Sequence, residues 1–241
     1  MSMHLLLTDN TLLLHRFIQL LEELHIPLNT FHFAFSPANK EMQEKYAGST
    51  WIKPLSVKNS VDNLIQDYIL IISLHSKQIF PAALVQKVRC VNVHPGLNPH
   101  NRGWFPQVFS ILNQLPCGAT IHEMDEQLDH GPIIAQQPVD IESWDTSFTA
   151  YHKILDAEIQ LLRHNLRNIL NNEYNTFKPD EGNVNLKKDF DALCEIKLDA
   201  TGTWREHLNH LRALTHGNYQ NAYFMDDAGN KVMVSVTLNK V

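Results

Sequence analysis

Four short apolar runs, His4–Thr8, Phe31–Phe35, Tyr68–Ser73 and Cys90–Val93, most constrain what this chain can fold into. None shows the strict apolar/polar alternation of a strand with one wet face, so they read as strands covered on both sides, as in a parallel sheet. Between the first two, Leu13, Leu14, Phe17, Ile18, Leu21 and Leu24 recur at helical spacing, and Pro81–Val88 reads as a short helix before the fourth run. Strand and helix taking turns imply βαβ units and an open, mostly parallel, Rossmann-like α/β sheet. Ligands of such sheets bind beyond the carboxyl ends of the strands, which directs attention to the loops at 8–11, 73–80 and 94–103.

Further along, the pattern predicts a helix over Trp104–Asn113 and strands over Ala119–Glu123 and Ile133–Ile141 around a turn-rich stretch at 125–132. Phe148, Tyr151, Leu155, Ile159, Leu162, Leu166 and Ile169 form one stripe on a long helix, suited to a core or a dimer interface. Asn171–Asn185 is polar and reads as a linker, followed by a helix over Trp204–Leu214 and a hairpin turning near Asp227–Asn230. The expected division is a catalytic domain over 1–185 and a small helix/hairpin subdomain over 186–241 that contributes to substrate binding or packing. With 241 residues and 44% hydrophobic content, the chain can bury one full core plus such an appendix.

Charge narrows the partners. The net charge is -6 and Lys187-Lys188 is the longest basic run, so no phosphate-neutralising surface is expected and nucleic acid is set aside as a partner. Three cysteines without a CxxC pair fit a reducing compartment, and the opening apolar run is too short for a signal segment or a membrane span. The expectation is a soluble, cytoplasmic protein with no membrane partner.

The chemistry concentrates in residues 91–111, VNVHPGLNPHNRGWFPQVFSI. Asn92 and His94 are two apart at a strand end, so both side chains leave the same face. Asp129 follows in a turn before another strand. An imidazole to take a proton, a carboxylate to orient it and an amide to support an oxyanion are the parts needed for acyl transfer to an amine. His94 alone would read as a structural histidine; its company makes it a candidate base. His122 and His130 raise the question of a metal. On an alternating strand and beside Asp129 respectively, they do not converge as metal ligation requires, and no metal is expected.

These residues carry a resemblance. Asn92-Val93-His94, the loop Leu97-Asn98-Pro99-His100-Asn101-Arg102-Gly103 and the turn Asp129-His130-Gly131 resemble the ordered motifs of the folate-dependent formyltransferases, and Gly118–His122 is similar to the strand before that family's Asp turn. The likeness covers roughly residues 1–170. Gly96 and Asn98 depart from the family, which more often has serine and leucine there. The stretches SLHSKQIFP (73–81), NVHPGLNPHNRGWFPQ (92–107) and RALTHGNYQNAYF (212–224) look like the branch acting on dTDP-linked 4-amino-4,6-dideoxyglucose.

The resemblance implies a formyl group passed from 10-formyltetrahydrofolate, a cosubstrate, to a nucleotide-linked amino sugar, with Asn92, His94 and Asp129 catalytic. It implies folate contacts from backbone groups of His75, Gln78 and Ile79, with Phe80 and Asp125 nearby. Lys77, Arg102, Trp104, Tyr219, Asn221 and Tyr223 are the candidates for the sugar nucleotide. A homodimer and a destination in surface polysaccharide, such as lipopolysaccharide O-antigen, are implied as well. The alternatives kept open are a dTDP-3-amino-3,6-dideoxyhexose or another amine as acceptor, and a metal-dependent hydrolase.

Overall fold

A computed structural model describes residues 3–241. The chain begins with β1 (Met3–Thr8), α1 (Thr11–Glu23), β2 (Phe31–Phe35), α2 (Lys40–Lys45), β3 (Ile52–Pro54), α3 (Val61–Asp67), β4 (Tyr68–Leu74), α4 (Ala82–Val85) and β5 (Arg89–His94). It continues with β6 (Arg102–Gly103), α5 (Pro106–Asn113), β7 (Gly118–Glu123), β8 (Ile133–Pro138) and the long α6 (Ser147–Asn171). β9 (Val184–Asn185), α7 (Lys187–Leu193), α8 (Trp204–Leu214) and the hairpins β10 (Thr215–His216)/β11 (Tyr219–Gln220) and β12 (Ala222–Met225)/β13 (Lys231–Val234) complete it.

The main sheet has seven strands in the order β3-β2-β1-β4-β5-β7-β8. The contiguous pairs from β3 to β5 are parallel, and β7 runs antiparallel to β5. The sheet is therefore mostly parallel with helices in its crossovers, as the strand/helix alternation implies. Leu5, Leu6 and Leu7 of β1 are at most 1% exposed, and burying each such side chain stabilises the fold by about 1.5–3 kcal/mol.

Contacts divide the described residues into two compact units. The first holds the residues up to His94 together with Thr120–Gln136 and Glu158–Pro179. The second holds Pro95–Ala119, Gln137–Ala157 and Asp180–Val241. The first unit has a core around Leu5, Leu7, Ile71, Leu84 and Cys90, and the second around Val108, Ile111, Ala150, Phe190 and Leu214.

Two expectations need correction. The helix expected from Trp104 starts at Pro106, because helical backbone is disfavoured at the residue before a proline. Phe105 takes a left-handed φ of 50° instead, and proline, lacking an N–H, opens the helix. The segment expected as a linker over 171–185 is tied down: Ile133 and Phe177 exchange backbone hydrogen bonds, and β9 pairs with β6.

Candidate active site

β5 delivers the first two groups. Asn92 and His94 alternate with the fully buried Val91 and Val93, so the strand's own period aims both into one place. The third group arrives through a tight turn after β7. Gly131 lies so close to the chain that a Cβ there would meet the Glu123 carbonyl oxygen at 1.9 Å, so only glycine allows this approach. Asp129 takes a left-handed φ of 48°, which aspartate tolerates better than most residues. The Asp125 carboxylate fastens the turn from inside, accepting from Gln127 N at 2.9 Å and standing 2.7 Å from His130 Nδ1.

Asn92, His94 and Asp129 thus meet within the first unit. Asn92 Nδ2 donates to Asp129 Oδ1 at 3.0 Å, and His94 Nδ1 lies 3.5 Å from Asp129 Oδ2. With the carboxylate beside Nδ1, Nε2 is the imidazole nitrogen on the side away from Asp129. His94 is 3% exposed, so its interaction with the Asp129 carboxylate is screened little by water.

A fourth group, read from sequence only as a possible metal ligand, belongs here. His122 on β7 stands opposite Asn92 in the antiparallel register, the position where side chains on one face meet. Its Nδ1 donates to the Glu123 carbonyl at 2.7 Å, which fixes Nε2 as an acceptor in the neutral ring. Nε2 then accepts from Asn92 Nδ2 at 3.3 Å and sits 3.7 Å from Asp129 Oδ1. The tautomer of His122 therefore also settles which end of the Asn92 amide carries the nitrogen. A histidine paired across the sheet from the Asn-x-His strand was the available signal.

The loop after β4 is held at several points. His75, at a left-handed φ of 58°, sets Nε2 2.8 and 2.9 Å from the two carboxylate oxygens of Glu158 on α6. Lys77 N donates to Asp9 Oδ2 at 2.8 Å, and the Gln78 side chain brackets the segment after β3, donating to Leu55 O and accepting from Val57 N, both at 2.9 Å. Ile79 projects with 86% exposure, while Phe80, 7% exposed, packs in the first unit's core. Burial pushes the Glu158 carboxyl above its ordinary range, with the His75 charge pulling it back.

The remaining candidates belong to the second unit. Arg102 lies on β6, and among the described residues its buried Nε has no hydrogen-bond partner. Trp104 is 39% exposed and packs edge-on against Phe105. Tyr219, 72% exposed on β11, has its ring 5.8 Å from His216, which is also neighboured by Phe148 and Tyr151 at 5.6 and 5.4 Å. Burial lowers the His216 pKa, with His152 adding to it, so the ring stays neutral and suits an aromatic group. Sequence reading gave Phe148 and Tyr151 to a core or interface stripe and missed this cluster. Asn221 Nδ2 is spent on the Leu214 carbonyl at 3.0 Å, and Tyr223 on β12 carries Lys231 Nζ 3.7 Å from its ring centroid.

No thiol competes as nucleophile at these positions: burial pushes Cys90 up to about 12 and Cys117 up to about 11. Among the described residues, no helix is long and apolar enough to cross a membrane.

Comparison with known proteins gives this geometry a family. The formyl transferase model matches residues 30–166, and a model of the N-formyltransferase dimerization C-terminal domain matches 189–240. A relative from Mycobacterium tuberculosis, dTDP-4-amino-4,6-dideoxyglucose formyltransferase, is 52% identical over 183 residues, covering 76% of this chain and 78% of its own. A methionyl-tRNA formyltransferase from Bacillus cereus is 28% identical over 74% of this chain and 59% of its own. Among solved structures, a 4-N formyltransferase from Francisella tularensis is 44% identical with a TM-score of 0.93, covering 100% of this chain and 99% of that one. The chain belongs to the formyl transferase family.

Proposed function

We propose that the protein transfers a formyl group from 10-formyltetrahydrofolate to the amino group of a dTDP-linked amino-dideoxy sugar, dTDP-4-amino-4,6-dideoxyglucose. The observation that carries the reading is the meeting of Asn92, His94 and Asp129 in a buried site of a chain from this family. The preference for a sugar over a tRNA acceptor is supported by the 52% against 28% identities and by the net charge of -6.

In this mechanism the neutral sugar amine attacks the formyl carbon. His94 Nε2 accepts the proton released as the new C–N bond forms. The bond from the formyl carbon to the folate nitrogen then breaks, and a proton returns to that nitrogen. Asp129 orients His94 and steadies its charged form. Asn92 supports the developing oxyanion by turning one N–H, now given to Asp129 or His122, toward the formyl oxygen. Folate contacts come from backbone groups of His75, Gln78 and Ile79, with Asp125 ordering the turn. Arg102, whose Nε has no partner among the described residues, is the first candidate for the diphosphate, with Lys77 the second. Trp104 and Tyr219 offer aromatic faces to the thymine, with Asn221 and Tyr223 shaping the hairpins that carry Tyr219.

The division at 1–185 and 186–241, a homodimer through the C-terminal region, a cytoplasmic location and a surface-polysaccharide product complete the proposal. The test is a panel. 10-Formyltetrahydrofolate is supplied with dTDP-4-amino-4,6-dideoxyglucose, a dTDP-3-amino-3,6-dideoxyhexose or UDP-4-amino-arabinose, and formyl mass gain is followed. Fastest gain on the first is expected; gain on none overturns the reading.

A further inference from the structure

The carboxylate of Asp9 accounts for itself neither as a catalytic group nor as a helix cap. β1 lies between β2 and β4, and the chain builds outward from β1 on one side and then from β4 on the other. The mouth between β1 and β4 is therefore the switch point of the sheet, where doubly wound folds receive a nucleotide phosphate on a glycine-rich turn and a helix N-terminus. Here the turn is Thr8-Asp9-Asn10, without glycine. Asn10 caps α1, accepting from Leu13 N at 3.0 Å, and a carboxylate stands beside it. An anion at this mouth would meet a negative charge and an occupied helix terminus.

The same carboxylate gathers three loop ends of the first unit. Oδ1 accepts from Ser36 N at 2.8 Å and Asn39 Nδ2 at 3.4 Å, both after β2. Oδ2 accepts from Ser36 Oγ and, at 2.8 Å, from Lys77 N after β4. Ser36 is 5% exposed, so this junction is sheltered on one side. Bonds from neutral donors to a carboxylate are among the stronger hydrogen bonds of a fold. Lys77 stands between His75, held by Glu158, and Gln78, held at Leu55 and Val57.

We infer that Asp9 is a positioning residue for folate: it turns the nucleotide mouth of the sheet into an anchor that fixes the backbone of residues 76–79 in the conformation that binds the cosubstrate. The inference rests on the reading of loop 73–81 as the folate loop. It gives Asp9 no contact with the reacting atoms, so its removal acts on folate affinity and leaves the chemical step alone.

The test uses the full-length protein with steady-state kinetics and backbone hydrogen exchange. Asp9→Ala is expected to raise the KM for 10-formyltetrahydrofolate about tenfold or more, with kcat near wild type. Asp9→Asn keeps a carbonyl acceptor and should lie between. Ser36→Ala, which deletes one bond to Oδ2 and leaves the carboxylate, should raise the folate KM a few-fold, and it decides the matter if Asp9→Ala does not fold. Exchange at residues 75–80 is followed in wild type with and without 5-formyltetrahydrofolate. Protection that appears in wild type while both variants keep a normal folate KM overturns the role of Asp9 alone. No protection in wild type overturns the folate reading, and the inference with it. A lower kcat with unchanged KM would mark a merely structural carboxylate and also overturn it.

Discussion

The first unit contains two imidazole–carboxylate pairs, and they are built differently. His75, just past β4, gives one nitrogen to both oxygens of Glu158 at 2.8 and 2.9 Å, and the Glu158 side chain is 0% exposed. His94, at the end of β5, stands 3.5 Å from Asp129, whose side chain is 10% exposed and whose other oxygen serves Asn92 and faces His122. The first pair is saturated. A carboxylate with both oxygens on one nitrogen, sealed from water, holds its loop and has nothing left to exchange with a substrate. The second is looser and shared among three neighbours, so it can shift as charge moves. Proton affinity that must change during turnover needs such slack, whereas a clamp is better without it.

The largest expected effect is on the loose pair. His94→Asn, which keeps a polar side chain of similar reach without a base, should lower turnover by about 10²–10⁴-fold while the melting temperature changes little. A variant retaining more than about a tenth of wild-type turnover would remove His94 from the base role. If this variant instead unfolds, the two pairs are alike in kind and the comparison fails.

The tight pair should answer in stability. His75→Ala leaves Glu158 as an uncompensated buried charge, which costs about 3–5 kcal/mol at neutral pH. Burial already holds the Glu158 carboxyl above 4.5, and losing the imidazole removes what pulls it down. A carboxyl raised in the folded state contributes stability that is present below its unfolded pKa and lost as pH rises through its folded one. The variant should therefore recover as pH falls toward 4.5 and weaken toward neutrality. Adding Glu158→Gln should restore much of the loss at neutral pH. Urea titrations of the single and double variants across that range measure it, and a loss that is flat with pH would show that the charge of Glu158 is not the cause.

The loose pair was legible in the sequence and the tight one was not, for a physical reason. Asn92 and His94 sit on one strand at its period of two, and Asp129 is flagged by Gly131, whose missing Cβ is what lets the turn close on Glu123. His75 and Glu158 lie 83 residues apart with no shared periodicity, and only the packing of α6 brings them together. The same contrast holds for the fold. β1, β2, β4 and β5 are nearly continuous apolar runs that declare themselves, whereas α2, α3, α7 and the three-residue β3 are polar outside and carry one buried apolar residue each. Phe105 shows the limit from the other side: the apolar pattern extended the helix back to Trp104, but the constraint imposed by Pro106 prevailed.

His122 gives the smallest effect and the finest test, because it is part of what keeps the loose pair in order. With Nδ1 donating to Glu123 O, it presents Nε2 to the Asn92 amide at 3.3 Å. His122→Leu removes that acceptor, so the amide loses one of its two partners and the oxyanion donor is less well aimed. About a five- to tenfold fall in kcat is expected, the worth of one hydrogen bond of about 1 kcal/mol. His122→Gln can supply a carbonyl oxygen in the same direction and should keep most of the activity. A kcat left unchanged in His122→Leu, or lowered equally in both variants, would leave His122 as packing.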